Sequence, residues 1–210
     1  MEKEIIEVKP HVIYSKCVLE NGKQSDCRTC NNKDVCILYQ PRCMCLKPYP
    51  GHPDGCPNYG KPGCPPNTPM YDQVFDMDEP IYAIVTNYDL EEYFNQRRKN
   101  RPDLPEGQIR NSRCWQPRTK KENDYAVRDF LNKLNRKDYV ATRLLESMGV
   151  DVIGTMKEIG LEIKFPVIDH VYRVSFAAKA REMPLQEYNT EIYEEEKGIK
   201  KGLRTLVKKK

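Results

Sequence analysis

Two kinds of hydrophobic periodicity run along the chain, and the first is typical of β-strands. The segment IYAIVTNY, residues 81–88, is an apolar run rich in the β-branched and aromatic side chains that strands favour. The segment HVYRVSFAA, residues 170–178, alternates apolar and polar positions. Shorter patterns predict two more strands, one around residues 12–14 and one at 161–165.

The second periodicity repeats every three to four residues and predicts helices. Residues 120–137 give the clearest case, because five apolar side chains share one helical face: Ala126, Val127, Phe130, Leu131 and Leu134. A shorter helix is expected over 140–148 and should end at Gly149.

Capping signals mark two further helices. Asp89 directly follows the strand at 81–88 and begins the segment DLEEYFNQRRK, residues 89–99. Its acidic residues come first and its basic residues last, so we expect Asp89 to be the N-cap of a helix. Asp151 is likewise expected to cap a helix that ends at Gly160. The intervening residues 100–119 contain three prolines and a glycine, and this composition predicts a loop.

These elements predict a mixed α/β (α+β) fold, a small sheet with flanking helices, joined to a loop-rich, cysteine-dense N-terminal module. We expect the metal-binding module at 1–70, the α/β domain at 71–182 and a charged appendage at 183–210. Proline and glycine are dense before residue 70, so the module cannot easily form regular strands or an apolar core.

Cysteine usage is the most uneven feature of the composition. Eight of the nine cysteines lie in the first third of the chain. Soft thiolates suit zinc and iron–sulfur clusters, and metal bonds would supply folding energy that the module lacks. The predicted metal ligands are therefore Cys17, Cys27, Cys30, Cys36, Cys43, Cys45, Cys56 and Cys64.

The spacing favours a 4Fe–4S cluster, with zinc as the alternative. Zinc modules usually contain repeated CxxC-type pairs, and only Cys27 and Cys30 form one here. Iron–sulfur sites accept irregular spacing, and cysteine followed by proline is familiar around them, as at Cys56 and Cys64. The pairing of ligands stays open. His11 and His52 are alternative ligands, although surface histidines are the simpler interpretation.

The expected location is the cytoplasm, without a membrane span. No run of 18 apolar residues occurs, and the opening MEKEIIEVKP lacks the apolar core of a signal peptide. The reducing conditions of the cytoplasm favour metal-bound or catalytic thiols over disulfides.

The basic residues suggest two kinds of partner. The formal net charge is +4, and the basic residues are concentrated at 97–121 and 197–210. Arg110, Arg113 and Arg118 flank Cys114 and are candidates for binding an anionic substrate, whereas Cys114 is either a reactive thiol or a buried residue beside Trp115. Nucleic acid is a less favoured partner.

Two segments resemble a widespread prokaryotic family of predicted metal-binding proteins that carry a domain of unknown function. They are GCPNYGKPGCPPNTP, residues 55–69, with its Cys-Pro, Tyr-Gly and Cys-Pro-Pro signature, and LLESMGVDVIGTMKEIGLEIKFP, residues 144–166. The resemblance implies iron–sulfur binding and assigns a ligand role most directly to Cys56 and Cys64. Pro53 stands where members of that family commonly have another cysteine.

The sequence thus predicts a metal-binding protein, with a 4Fe–4S cluster in a redox or Lewis-acid role that includes sulfur handling. Two alternatives remain: a zinc-stabilised module that contacts nucleic acid, and a non-catalytic subunit of a redox complex. The sequence does not assign a reaction or an oligomeric state.

Overall fold

A computed structural model describes residues 2–12, 41–49, 51–163, 167–181 and 192–194. Four of the predicted ligands, Cys17, Cys27, Cys30 and Cys36, lie outside these ranges, as does most of the segment 183–210.

An antiparallel sheet lies at the centre of the described part. Its strands are β1 (Glu2–Val8), β2 (Ile81–Asp89), β3 (Tyr139–Thr142), β4 (His170–Lys179) and the short β5 (Ile192–Glu194). Their order across the sheet is β1-β2-β4-β3-β5. The predicted mixed α/β fold is confirmed in this part of the chain, and β1 shows that the sheet also includes residues from the segment 1–70.

Five α-helices and two 3₁₀ helices accompany the described strands. The α-helices are α1 (Tyr71–Val74), α2 (Leu90–Asn100), α3 (Glu106–Ile109), α4 (Ser112–Leu134) and α5 (Val152–Glu158). The first 3₁₀ helix is Pro41–Leu46 and the second is Glu146–Met148.

The two predicted caps are confirmed. The Asp89 carboxylate accepts a hydrogen bond of 2.8 Å from the backbone N–H of Glu92. The Asp151 carboxylate accepts one of 2.9 Å from the N–H of Gly154. Each satisfies an amide that would otherwise lack a partner in the first turn of its helix.

The loop predicted over residues 100–119 is wrong, because α3 and the first two turns of α4 occupy much of it. Asn111 caps α4 by accepting a hydrogen bond of 2.9 Å from the N–H of Arg113. Pro117 lies inside the helix, where it removes one backbone hydrogen bond. Burial of Trp115 against Ile109 and Phe94 gives the α4 N-terminus the packing that offsets this loss.

The helix predicted over 140–148 is also wrong. Residues 139–142 form β3, and all four are buried between β4 and β5. A strand buried on both faces has a continuous apolar sequence, and this pattern alone does not distinguish the strand from a buried helix. The predicted strand at 161–165 does not form over residues 161–163, the part that the structure describes.

The sheet separates two apolar cores. On one face, α4 packs Val127 and Leu131 against Ile84 of β2 and Ala177 of β4. On the other face, α1, α5 and the second 3₁₀ helix cover a larger core that includes Tyr71 and Phe176. The predicted apolar face of the long helix is confirmed, and α4 is held across β2 and β4.

Candidate functional site

The cysteine-rich segment folds back on itself between residues 45 and 56. The Cys56 N–H donates a hydrogen bond of 2.6 Å to the Cys45 carbonyl oxygen, so the two cysteines lie side by side in the backbone. Gly55 makes this approach feasible. Its φ is +83°, and a Cβ built there would lie 2.5 Å from the Cys45 carbonyl oxygen, where only glycine fits.

A series of turns then carries the chain to Cys64. The Cys64 N–H donates to the Lys61 carbonyl at 3.0 Å, and the Cys64 carbonyl accepts from the N–H groups of Asn67 at 2.9 Å and Thr68 at 3.2 Å. These hydrogen bonds satisfy the backbone of a segment that has neither helix nor strand, as its turn-forming composition predicts.

Two neighbouring cysteines act electrostatically on the Cys45 thiol. Burial, followed by the charges of Cys56 and Cys64, raises the pKa of the Cys45 thiol to about 11. The thiol cluster, defined here as Cys45, Cys56 and Cys64, is half-buried. All five cysteines in the described residues are thiols rather than half-cystines.

The buried side chain of Arg42 joins two parts of the cysteine-rich segment by hydrogen bonds. Its guanidinium is 4% exposed and donates hydrogen bonds to the carbonyl oxygens of Pro66 at 3.0 Å and Thr68 at 2.7 Å. These bonds attach the first 3₁₀ helix, which carries Cys45, to the residues that follow Cys64. The positive charge of Arg42 also opposes the increase in the Cys45 pKa.

The donor chemistry of the cluster suits a soft metal, but the described residues do not complete a site. Among residues 2–12, 41–49, 51–163 and 167–181, no three His, Cys, Asp or Glu side chains form a group that could hold a metal ion. Cys43 is fully buried and packs against Tyr59. The described part of the chain therefore brings Cys45, Cys56 and Cys64 into one region, with Cys43 packed near Cys45, and the other four predicted ligands lie outside the described residues.

A cationic cavity lies next to the second 3₁₀ helix, whose residue Glu146 lines it. Its volume is about 680 Å³. Among the residues that the structure describes, four cationic side chains and one carboxylate line it: Arg113, Lys120, Arg143, Arg173 and Glu146. Glu146 links the two regions, because it lines the cavity and its charge also contributes to the raised pKa of Cys45.

Two secondary-structure elements position most of the cavity's cations. Arg113, Gln116, Pro117 and Lys120 are spaced three or four residues apart, so they lie on one face of α4. The strand β3 pairs with β4 only over residues 176–179, so the cavity borders β4 at residues 172–174, beyond the end of that pairing.

Polar contacts hold the side chains of Arg173, in β4, and Arg143, just after β3, at this cavity. The Arg173 Nε donates to the Thr119 hydroxyl at 3.1 Å. Arg143 forms a largely buried ion pair of 3.2 Å with Asp124. Burial, and then the charge of Arg143, lowers the pKa of Arg173, with Asp124 acting in the opposite direction. Two like charges therefore face the same half-buried space.

The three arginines predicted to bind an anion have different surroundings. Only Arg113 lines the cavity. Arg110 pairs with Glu106 and with Glu91, at 2.6 and 3.4 Å, and lies over the ring of Phe94. Arg118 lies over the rings of Tyr88 and Tyr93. Arg173 and Arg143 were not predicted, because they are distant in sequence and belong to no motif.

The remaining candidates belong neither to the thiol cluster nor to the cavity lining. The His11 Nε2 lies 2.9 Å from a carboxylate oxygen of Glu158, and His52 packs against Tyr49. Cys114 is exposed on α4, so the interpretation of it as a buried residue is wrong, whereas its neighbour Trp115 is buried.

Comparison with protein-family models, curated proteins and solved structures finds no match to this chain. The family resemblance of residues 55–69 and 144–166 therefore stays a prediction. Within the residues that the structure describes, no helix combines the length and apolar character needed to cross a membrane.

Proposed function

We propose that this is a cytoplasmic thiolate metal-binding protein in which Cys45, Cys56 and Cys64 belong to the ligand set, with a 4Fe–4S cluster favoured over zinc. The observation that carries the proposal is the proximity of these cysteines: the Cys56 N–H donates to the Cys45 carbonyl oxygen, and the charges of Cys56 and Cys64 raise the pKa of the Cys45 thiol. Cysteines from the segment 17–43 would complete the set.

The physical reason is the cost of bringing thiolates together. Each added negative charge raises the pKa of its neighbour and destabilises the ionised cluster. A bound cation offsets that repulsion and replaces the thiol protons, and the metal–sulfur bonds contribute folding energy to a segment with little apolar core.

Two features support iron and sulfide over zinc. Cys56 and Cys64 are each followed by proline, and the spacing of the cysteines is irregular. A bound cluster would supply electron transfer, or Lewis-acid chemistry at an iron with an open position. The chain's own contribution is to hold the thiols through Gly55, Arg42 and the turns of residues 56–68, and to place the cationic cavity beside them.

An anionic substrate is the partner that fits this arrangement. Arg113 belongs to the predicted arginine set and lines the cavity, and Glu146, which also lines it, acts electrostatically on Cys45. Contact with nucleic acid is less well supported, because several arginines between residues 97 and 121 already pair with carboxylates. These pairs are Arg98 with Glu91 and Glu106, Arg101 with Asp103, and Arg110 with Glu106.

Metal analysis of the full chain, purified without oxygen, tests the proposal. We expect iron and acid-labile sulfide in the protein, with charge-transfer absorption at about 400 nm. Cys45→Ser, Cys56→Ser and Cys64→Ser should each lower the metal content, and Cys114→Ser should not. A colourless protein with stoichiometric zinc would replace iron–sulfur with zinc, and a metal-free protein would overturn the proposal.

A further inference from the structure

We propose that the cationic cavity binds a phosphate monoester of a small apolar or aromatic molecule, with the phosphate among Arg113, Lys120, Arg143 and Arg173. This extends the anionic-ligand part of the proposed function. None of the residues that carry it is a cysteine, so it can be tested separately from the metal.

The balance of charge around the cavity indicates an anion. Among the described residues, Arg113, Lys120 and Arg173 form no ion pair, and Arg143 is paired with Asp124. Arg173 and Arg143 lie close enough for their like charges to disfavour each other in a partly desolvated space. A ligand with two negative charges would offset this repulsion.

The directions from which the cations approach favour a tetrahedral group. Arg113 and Lys120 come from α4, Arg173 from β4, and Arg143 from the segment just after β3. A phosphate monoester presents three charged terminal oxygens in different directions, and arginine can bind two of them at once. A planar carboxylate would use fewer of these donors.

The rest of the lining suits an apolar body attached to that phosphate. Pro117, Leu145, Val152 and Val174 form apolar parts of the wall, together with the half-buried ring of Tyr172. A volume of about 680 Å³ falls within the range of small-molecule sites. Inorganic phosphate alone would leave this apolar surface uncovered.

Isothermal titration of the full chain at low salt provides the test. Phenyl phosphate is the probe, compared with inorganic phosphate for the charged group, phenol for the ring and benzene-1,3-dicarboxylate for the alternative dianion. We expect phenyl phosphate to bind most tightly of the four, with an affinity that falls as sodium chloride is added. Tighter binding of the dicarboxylate, or no binding of phenyl phosphate, would overturn the proposal.

Matched variants locate the binding in the cavity. Lys120→Gln and Arg173→Gln should each weaken phenyl phosphate binding by about tenfold, since each removes a charged hydrogen-bond donor. Lys121→Gln removes the same charge one residue along α4, where the lysine lies over the ring of Tyr125, and should change affinity by less than about twofold.

We do not expect a loss of stability to explain the weaker binding of Lys120→Gln. Lys120 forms no hydrogen bond or ion pair within the described residues, so Lys120→Gln should keep the thermal midpoint of the parent protein. Equal losses in Lys120→Gln and Lys121→Gln would show that general surface charge causes the binding, and would overturn the assignment to the cavity.

Discussion

The Ser175 hydroxyl of β4 donates a hydrogen bond of 2.5 Å to the side-chain oxygen of Asn123 on α4, and both residues are buried. The Asn123 amide nitrogen also lies 3.3 Å from the carbonyl oxygens of Ile84 and Arg173. This single side chain connects α4 to two strands. Because Lys120 lies one turn before it, the connection also fixes Lys120 relative to Arg173 in the cavity.

We expect Asn123→Ala to lower the free energy of unfolding by about 2 kcal/mol, because it leaves the buried Ser175 hydroxyl without this acceptor and opens a small void. Urea denaturation monitored by circular dichroism measures the change. Asn132→Ala is the control, since Asn132 is exposed on the same helix and alanine is the better helix former. Equal stability of Asn123→Ala and the parent protein would contradict a structural role for the network.

A second prediction compares two buried tyrosines. The Tyr71 side chain is fully buried, its hydroxyl has no hydrogen-bond partner among the described residues, and burial raises its pKa well above the usual value. The Tyr139 hydroxyl, in contrast, donates to the Pro80 carbonyl at 2.9 Å.

Removing the two hydroxyls should therefore have opposite effects on stability. Tyr71→Phe removes a desolvated group with no compensating bond, so we expect it to raise the free energy of unfolding by about 1 kcal/mol. Tyr139→Phe loses a hydrogen bond and should lower it by about 1 kcal/mol. The same denaturation experiment measures both, and a destabilised Tyr71→Phe would reveal a partner for that hydroxyl.

The local elements that the sequence predicts well are those with strong chemical signals close together. The β-branched run of β2 and the caps at Asp89 and Asp151 depend on neighbouring residues. The start of α4 depends on tertiary packing of Trp115, which offsets the signal from Pro117. The strand β3 depends on burial between two other strands, which a short apolar run does not reveal.

The candidate site likewise has one part that local sequence signals predict and one part that depends on tertiary structure. The concentration of cysteines in one segment predicts the thiols as metal ligands, because soft ligands are rare, and that role stays a prediction. Lys120 lies on α4, Arg173 on β4 and Arg143 just after β3, so the cavity lining comes from three separate parts of the chain. The Arg143 and Arg173 side chains approach each other only because β3 pairs with β4. No spacing rule along the chain could have identified that set.

Gly55 gives a prediction about metal content. Alanine at position 55 would have to adopt a left-handed backbone conformation, which costs about 1–2 kcal/mol, and its Cβ would clash with the Cys45 carbonyl oxygen. Gly60 has nearly the same φ, +82°, but open space around its Cα. We therefore expect Gly55→Ala to bind less metal per chain than Gly60→Ala, measured by elemental analysis of protein purified without oxygen. Equal metal content in the two variants would show that the approach of residues 45 and 56 does not matter for the metal.

The final prediction concerns Glu146, the one carboxylate that lines the cationic cavity within the described part of the chain. Burial raises the pKa of this carboxyl above its usual value of 4.5. As the pH falls through that raised pKa, Glu146 becomes neutral, and the net positive charge that faces an anion increases. Anion affinity should therefore rise as the pH is lowered, and Glu146→Gln should bind more tightly than the parent protein at any pH above that raised pKa.

The ligand for this measurement needs a constant charge, because a phosphate monoester itself takes up a proton near pH 6. Benzene-1,3-disulfonate remains a dianion throughout, so a change in its affinity reports on the protein. Glu146→Gln should flatten the pH dependence, whereas Glu122→Gln, on α4 but outside the cavity lining, should preserve it. The raised pKa also means that the folded state loses stability as the pH rises from the usual value of 4.5 through the raised pKa, so Glu146→Gln should have a higher thermal midpoint at neutral pH. If the affinity of Glu146→Gln still varied with pH as in the parent protein, another titrating group would control the cavity, and Glu146 would not be the residue that sets its charge.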